Sequence, residues 1–206
     1  MLLEGNKLGY GYANRPWLFN HVDIRIESGE RVGLVGPSGC GKSTLGRLLA
    51  GYAKPLQGNV TLDGNPLPEK GYHPVQMIFQ HPEKAVNPRW KLRRTLNEGW
   101  APEQDLLQRL GIEPAWLDRW PNELSGGELQ RICIARALSP QTQFLIADEM
   151  STMLDAVTQA QLWHALLEAA QTRNMGMLVI SHERHLLRRV CHRIIEFPAT
   201  GTMEPQ

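Results

Sequence analysis

Nine consecutive residues, Gly36-Pro37-Ser38-Gly39-Cys40-Gly41-Lys42-Ser43-Thr44, constrain this chain more than anything else in its sequence. They match G-x-x-x-x-G-K-[ST] at every fixed position. Glu30 to Val35 before them reads as a buried strand, and Leu45 to Ala50 after them as the opening of a helix. The motif carries weight only in that strand–loop–helix setting. Glycines let the loop turn tightly, so that successive backbone N–H groups converge on one anion. The helix N-terminus adds partial positive charge. Lys42 is expected to reach the outer phosphates of a nucleotide, and the Ser43 hydroxyl to bind Mg2+. Gly36, Pro37, Ser38, Gly39, Cys40, Gly41, Lys42, Ser43 and Thr44 are therefore the expected phosphate cradle. Cys40 lies next to Lys42 and a helix N-terminus, both of which favour a thiolate that maleimide would label; the alternative is a small, buried, inert thiol.

The remaining composition narrows the setting. With 206 residues the chain suits one domain or one domain with a small insert. A formal net charge of +1 gives no strong global attraction for nucleic acid or acidic lipid. No apolar run approaches the ~18 residues of a membrane span. Glu4 and Asn6 interrupt the apolar start, so no signal peptide is expected. Cys40, Cys133 and Cys191 have no metal-ligand spacing, and a reducing cytosol is the simplest setting. His73, His81, His164, His185 and His192 form no metal constellation.

Strands are expected at residues 2–8, 18–26, 59–62, 75–79, 144–147, 177–180 and 193–197. In the second, Val22, Ile24 and Ile26 alternate with Asp23, Arg25 and Glu27. Residues 82–123 change character, with prolines at 82, 88, 102, 114 and 121 around short helical pieces at 92–99, 103–110 and 115–120. A small helical insert in an α/β core fits this, reaching about residue 138 once the helix Gly127–Leu138 is included. A long helix is expected from Asp155 to Arg173, with Leu162, Ala165, Leu166 and Ala169 inward, and a shorter one over 183–191. Strands alternating with helices imply a doubly wound sheet that binds ligand at the carboxyl edges of its strands.

Two further motifs carry chemistry. Asp148-Glu149 follows the apolar strand Phe144–Ala147 directly. A Mg-nucleotide site needs an acid at the tip of the strand beside the phosphate loop, which suits Asp148 to the metal shell. Glu149 would then orient or deprotonate the attacking water. Leu124-Ser125-Gly126-Gly127-Glu128 is a second glycine turn opening a helix, with Ser125 as N-cap. It is either a plain cap or a second anion site. One nucleotide cannot use two distant phosphate sites, so in the second case Ser125, Gly126 and Gly127 serve a nucleotide held by another subunit.

LSGGE-LQR between a phosphate loop and an apolar strand ending in Asp-Glu resembles the nucleotide-binding subunit of an ATP-binding cassette (ABC) transporter, over residues 2 to 197. Ile78-Phe79-Gln80 followed by Asn87-Pro88-Arg89 is similar, more narrowly, to the oligopeptide/dipeptide/nickel importer branch. Accessory ATPases of phosphonate degradation share that pattern. The resemblance implies a P-loop NTPase of the ABC cassette type, in one nucleotide-binding domain over 1–206. It would have a mainly parallel core, a short antiparallel β part and a small helical subdomain at about 82–138. Tyr12 matches the aromatic that stacks on adenine, with Tyr10 and Trp17 as competitors. Gln80 matches the glutamine that senses Mg2+ and attacking water. Asp155 matches the aspartate that crosses to the partner subunit, although a helix-opening acid would sit there anyway. His182 matches the histidine at the γ-phosphate. Met150 and Met153 stand where the family has Pro and Ala, and relatives commonly extend further at the C-terminus. Arg89, Lys91, Arg93 and Arg94 would face a membrane subunit or form a solvated loop.

The implied activity is ATP hydrolysis with Mg2+, energising an importer from the cytoplasmic face of the cell membrane. The implied partners are a second ATPase subunit (a sister or a second copy), two permease subunits and an extracytoplasmic solute-binding protein. The rival readings are an accessory ATPase of a soluble enzyme complex and a nucleic-acid or ribosome-associated ABC ATPase.

Overall fold

The computed structural model describes residues 1–13, 16–152 and 154–197, and Met153 therefore lies outside the described residues. Phe144–Asp148 (β7) and Gly176–Ile180 (β8) are buried at every position, as strands covered on both faces must be. They sit in a five-stranded parallel sheet with Val75–Ile78 (β6), Arg31–Val35 (β3) and Arg193–Glu196 (β9), in the order β6-β7-β8-β3-β9. A second, antiparallel sheet has the order β2-β1-β4-β5. It is built from Leu2–Gly11 (β1), Trp17–Glu27 (β2), Gln57–Leu62 (β4) and the two-residue strand Asn65–Pro66 (β5).

Period-two alternation divides the parallel sheet between two apolar cores. Phe144, Ile146, Leu178 and Ile180 face one core, which also contains Leu3, Leu8 and Phe19 from the antiparallel sheet. Leu45, Leu48 and Leu49 of the helix Lys42–Leu49 (α1) join them there. Leu145, Ala147, Met177 and Val179 face the other core. It collects Leu92 and Leu96 of Leu92–Leu96 (α2), Leu106 of Gln104–Arg109 (α3) and Ile132 of Gly126–Ala137 (α4). Leu162 and Leu166 of Ala156–Thr172 (α5) and Leu187 of Arg184–Val190 (α6) complete it. A sheet buried on both faces holds its strand tips in fixed relation, and those tips carry the chemistry.

Several expectations need correction. In β2 the alternation holds from Val22 to Ile26, but Phe19 is buried out of phase. His21 has a left-handed φ of 55° and Lys7 one of 48°, and the β1–β2 register shifts around them. These irregularities re-aim the strands in the manner of bulges. The helical piece expected at 115–120 is only a 3-10 turn, Pro114–Trp116, with Pro121 opening another just beyond it. On α5 the inward residues are Leu162, Trp163, Ala165, Leu166 and Ala170, with Ala169 half-buried. The phosphate-loop strand β3 pairs with β8 and β9, so β7 is not its neighbour, although the tip of β7 still meets the loop helix.

The phosphate-loop helix packs closely on the sheet because residue 46 is glycine. A Cβ there would lie 3.0 Å from Ile180 Cδ1 and 3.1 Å from Ile146 Cγ2. Gly46→Val is expected to lower stability by about 1–3 kcal/mol through overpacking, read as a drop in Tm. An unchanged Tm would contradict this packing.

Candidate functional site

The phosphate loop spans the gap between β3 and α1 at the carboxyl edge of the sheet. Gly41, the residue before α1, has φ 109°, and a Cβ there would lie 2.7 Å from the Phe19 ring. Pro37, Ser38 and Gly39 are exposed, and a Cβ on Gly39 would meet nothing within 4 Å. The loop thus presents an open backbone face above a packed base. Lys42 Nζ donates to the carbonyls of Gly36 at 2.8 Å and Pro37 at 2.7 Å, folding back over its own loop. The Cys40 side chain, by contrast, points into the core below the loop and is buried. Lys42 Nζ still lies 3.8 Å from its Sγ, so the thiol sits beside the lysine as expected, but its burial favours the inert thiol over the labelling site.

Ser43 Oγ donates to Asp148 Oδ1 at 2.9 Å. This bond joins α1 to the tip of β7, so Asp148 meets the loop although its strand is two places from β3, with β8 between them. Asp148 is only 3% exposed. Burial pushes its carboxyl above the usual range, opposed chiefly by the Ser43 hydrogen bond. A buried acid beside a hydroxyl at an open loop provides hard oxygen donors of the kind Mg2+ takes.

Glu149 follows immediately, with a left-handed φ of 48° that a non-glycine residue rarely adopts. Its N–H donates to the Ile180 carbonyl at 3.0 Å, continuing the β7–β8 ladder past the strand end. Its carboxylate is engaged by His182, whose backbone N–H donates to Oε1 at 3.0 Å. The ring Nδ1 lies 3.0 and 2.9 Å from the two oxygens. A proton on Nδ1 satisfies this contact and leaves Nε2 as the uncommitted nitrogen. The Glu149 side chain is 13% exposed and that of His182 66%. The sequence assigns these two residues separate tasks; the fold places them in direct contact.

The second glycine turn is separate from the first. Ser125 Oγ accepts from Glu128 N at 3.3 Å, and Glu128 Oε2 accepts from Ser125 N at 2.7 Å, a reciprocal cap. Among the described residues no hydrogen bond joins the Ser125–Gly127 turn to the Gly36–Thr44 loop. A Cβ on Gly127 would lie 2.8 Å from Leu154 Cδ2, so the turn abuts the Asp155 segment of its own chain. Asp155 caps α5, its Oδ1 accepting from Val157 N at 3.1 Å and Thr158 N at 3.0 Å. Gln80 is exposed just beyond β6. Tyr12 and Trp17 are 50% and 51% exposed, while Tyr10 is half-buried and meets Tyr12 edge-on at 5.6 Å. Met150 is buried in the core under α5.

Two positioning groups escape sequence reading. Gln130 on α4 is buried and its Nε2 donates to the Phe79 carbonyl at 3.1 Å, holding the residue before Gln80. Ser151 accepts bonds from Gln159 and Trp163 of α5. Gln130 lies in the quoted LQR run, but nothing in its spacing names the carbonyl it reaches.

A family model for the ABC transporter matches residues 19–152. The chain is 38% identical to the nickel import ATP-binding protein NikE of Escherichia coli O6:K15:H31, covering 100% of this chain and 87% of that protein. Against NikE of Escherichia coli K12 the identity is also 38%, covering 92% and 78%. Among solved structures, a bacterial ABC transporter cassette determined as a dimer superposes with a TM-score of 0.81 at 23% identity, covering 98% of this chain and 97% of that one. The cbiO1 protein of Clostridium perfringens, part of the ABC transporter complex cbiONQ, gives 0.74 at 23% identity, covering 94% and 83%. No described helix is long and apolar enough to cross a membrane.

The cysteine environments give a direct check on the loop geometry. Cys40 and Cys133 are buried, and burial pushes the Cys133 thiol up to about 11 and the Cys191 thiol up to about 12. Maleimide at neutral pH is expected to label the native protein slowly at all three positions and rapidly after denaturation. Fast labelling of Cys40 in the native chain would contradict the inward thiol.

Proposed function

This chain belongs to the ABC transporter family as one of its ATP-hydrolysing subunits, and from that premise we propose that it energises import of nickel, a metal chelate or a peptide. The observation that carries the substrate class is the 38% identity to nickel import ATP-binding proteins along the whole chain, together with Phe79-Gln80 and Asn87-Pro88-Arg89. In this reading the whole of 1–206 is one nucleotide-binding domain, with the helices of about 82–138 inserted in its core.

ATP would place its phosphates on the Gly36–Thr44 backbone. Lys42 would exchange the Gly36 and Pro37 carbonyls for the outer phosphates, a trade of neutral acceptors for charged ones that favours the bound state. Ser43 and Asp148, with Gln80 nearby in sequence to β6, would hold Mg2+, which when bound neutralises charge on the phosphate oxygens. Tyr12 would stack on adenine. Glu149 would take a proton from the attacking water once His182 releases one of its oxygens, and His182 would turn to the γ-phosphate. Ser125, Gly126 and Gly127 of a second ATPase subunit would close the far side of the nucleotide, with Asp155 crossing at the same interface. Opening and closing of such a sandwich does work only through an attached element. Two permease subunits at the cytoplasmic face of the membrane would supply it, with an extracytoplasmic binding protein delivering the solute. The second ATPase is proposed to be a sister chain.

Deleting the gene and measuring uptake of labelled nickel, a labelled metal chelate and a labelled peptide tests the importer reading, which requires the loss of one of them. Undiminished uptake of all three would contradict it. Within the assembly, Glu149→Gln should bind Mg-ATP normally while turnover falls by about 10²–10⁴-fold, because a general base is removed. Lys42→Ala should instead lose nucleotide binding, and chelation of Mg2+ should stop turnover reversibly. Full hydrolysis by Glu149→Gln would sink its assigned role. ATPase rate and mass of this chain, measured with and without its sister, address the pairing. Full activity from an ATP-dependent dimer of this chain alone would exclude the requirement for a sister.

A further inference from the structure

The segment joining β7 to α5 carries Glu149 at one end and Asp155 at the other. Its middle is tied down by a side chain that the nucleotide chemistry above does not use. Ser151 is only 5% exposed, and its Oγ accepts two hydrogen bonds from one helix. Gln159 Nε2 donates at 2.9 Å and Trp163 Nε1 at 3.2 Å. Gln159 and Trp163 are four residues apart, so they share one face of α5. The helix that Asp155 caps therefore reaches back to hold the loop leading into it. Backbone bonds close the same ring: Leu154 N to the Ser151 carbonyl at 3.2 Å, and Gln159 N to the Asp155 carbonyl at 2.8 Å. On the other side of Ser151, Thr152 Oγ1 donates to the Glu149 carbonyl at 3.1 Å.

We propose that Ser151, Gln159 and Trp163 form a clamp that fixes the Glu149 carboxylate, with Ser151 as a positioning residue for hydrolysis. The proposal rests on the reading of Glu149 as general base. The indole N–H of Trp163 is buried and needs an acceptor, and the buried Ser151 hydroxyl needs partners, so each fixes the other. Only Met150 separates Ser151 from Glu149, and Met150 is itself packed in the core. A shift of Ser151 therefore passes to Glu149 rather than being absorbed between them. Glu149 sits at a left-handed φ that persists only where its surroundings over-determine it. Releasing Ser151 removes one of those restraints and lets Glu149 relax away from His182. The clamp bonds neither the Gly36–Thr44 loop nor Asp148, so KM for ATP is expected to stay unchanged.

The test uses the assembly purified through a tag on this chain. Trp163→Phe is expected to lower kcat about tenfold at unchanged KM for ATP, the worth of one well-made hydrogen bond, and Ser151→Ala, which removes two, at least as much. Ser151→Thr, which keeps the hydroxyl, should retain the parent rate. The double variant Ser151→Ala/Trp163→Phe should be no slower than Ser151→Ala, since Ser151→Ala already removes the Trp163 bond. The indole N–H resonance of Trp163, identified by its loss in Trp163→Phe, should move in Ser151→Ala and stay in place in Ser151→Thr. A Ser151→Ala rate within about twofold of the parent, or an unmoved Trp163 resonance, would overturn the clamp, as would a rate loss explained by less folded protein at equal specific activity. Glu149→Gln is assayed alongside. If it retains full turnover, the assignment of Glu149 fails and takes the clamp with it. If it is inactive while Ser151→Ala is not impaired, the clamp alone fails.

Discussion

The hydrogen bond between Ser43 and Asp148 is the joint on which the site depends. It connects the first turn of the phosphate-loop helix to the tip of a strand two places away in the sheet. It ties the loop proposed to cradle phosphate to the strand end that carries Glu149. Both partners are fixed from behind. Gly46 lets α1 lie close on Ile146 and Ile180, and β7 is buried on both faces. The raised carboxyl of Asp148 belongs to the same arrangement: a buried acid with one hydroxyl partner is a site that a cation would stabilise.

Around that joint the protein's own polar groups satisfy one another. Lys42 rests on two loop carbonyls, His182 on both oxygens of Glu149, and Ser125 and Glu128 on each other's backbone N–H. Each contact occupies a group to which the proposed function assigns a bond with nucleotide or water. Nucleotide binding on this view exchanges internal hydrogen bonds for charge-assisted ones, so the differential affinity that drives closure is the difference between two satisfied states.

The parts of this architecture legible in the sequence are those with a period or a fixed spacing. The phosphate loop, the buried strands Phe144–Asp148 and Gly176–Ile180, and the cap at Ser125 each follow from local chemistry. What stayed hidden is non-local. Sheet order is set by which crossover packs where, and nothing in the Asp148 neighbourhood reveals that β8 intervenes between β7 and β3. The contact of Glu149 with His182 joins residues from different strand ends, as does the reach of Gln130 to Phe79 between α4 and the end of β6. The burial of Cys40 stayed open because its neighbours in sequence are polar while its side chain turns into the apolar core. The short β5 and the 3-10 turn at Pro114 lack enough residues to show any period.

Among the described residues the Ser125–Gly127 turn has no bond to the phosphate loop of its own chain, and Gly127 lies against Leu154, next to Asp155, instead. The account therefore turns on where the second half of the nucleotide site comes from. Electron cryomicroscopy of the Glu149→Gln assembly with bound Mg-ATP answers this most directly. The account predicts ATP on the Gly36–Thr44 loop of one subunit, covered by the serine-glycine-glycine turn of another. Nucleotide enclosed entirely by one chain, or a hydrolysis-arrested state with no second subunit across the site, would contradict it.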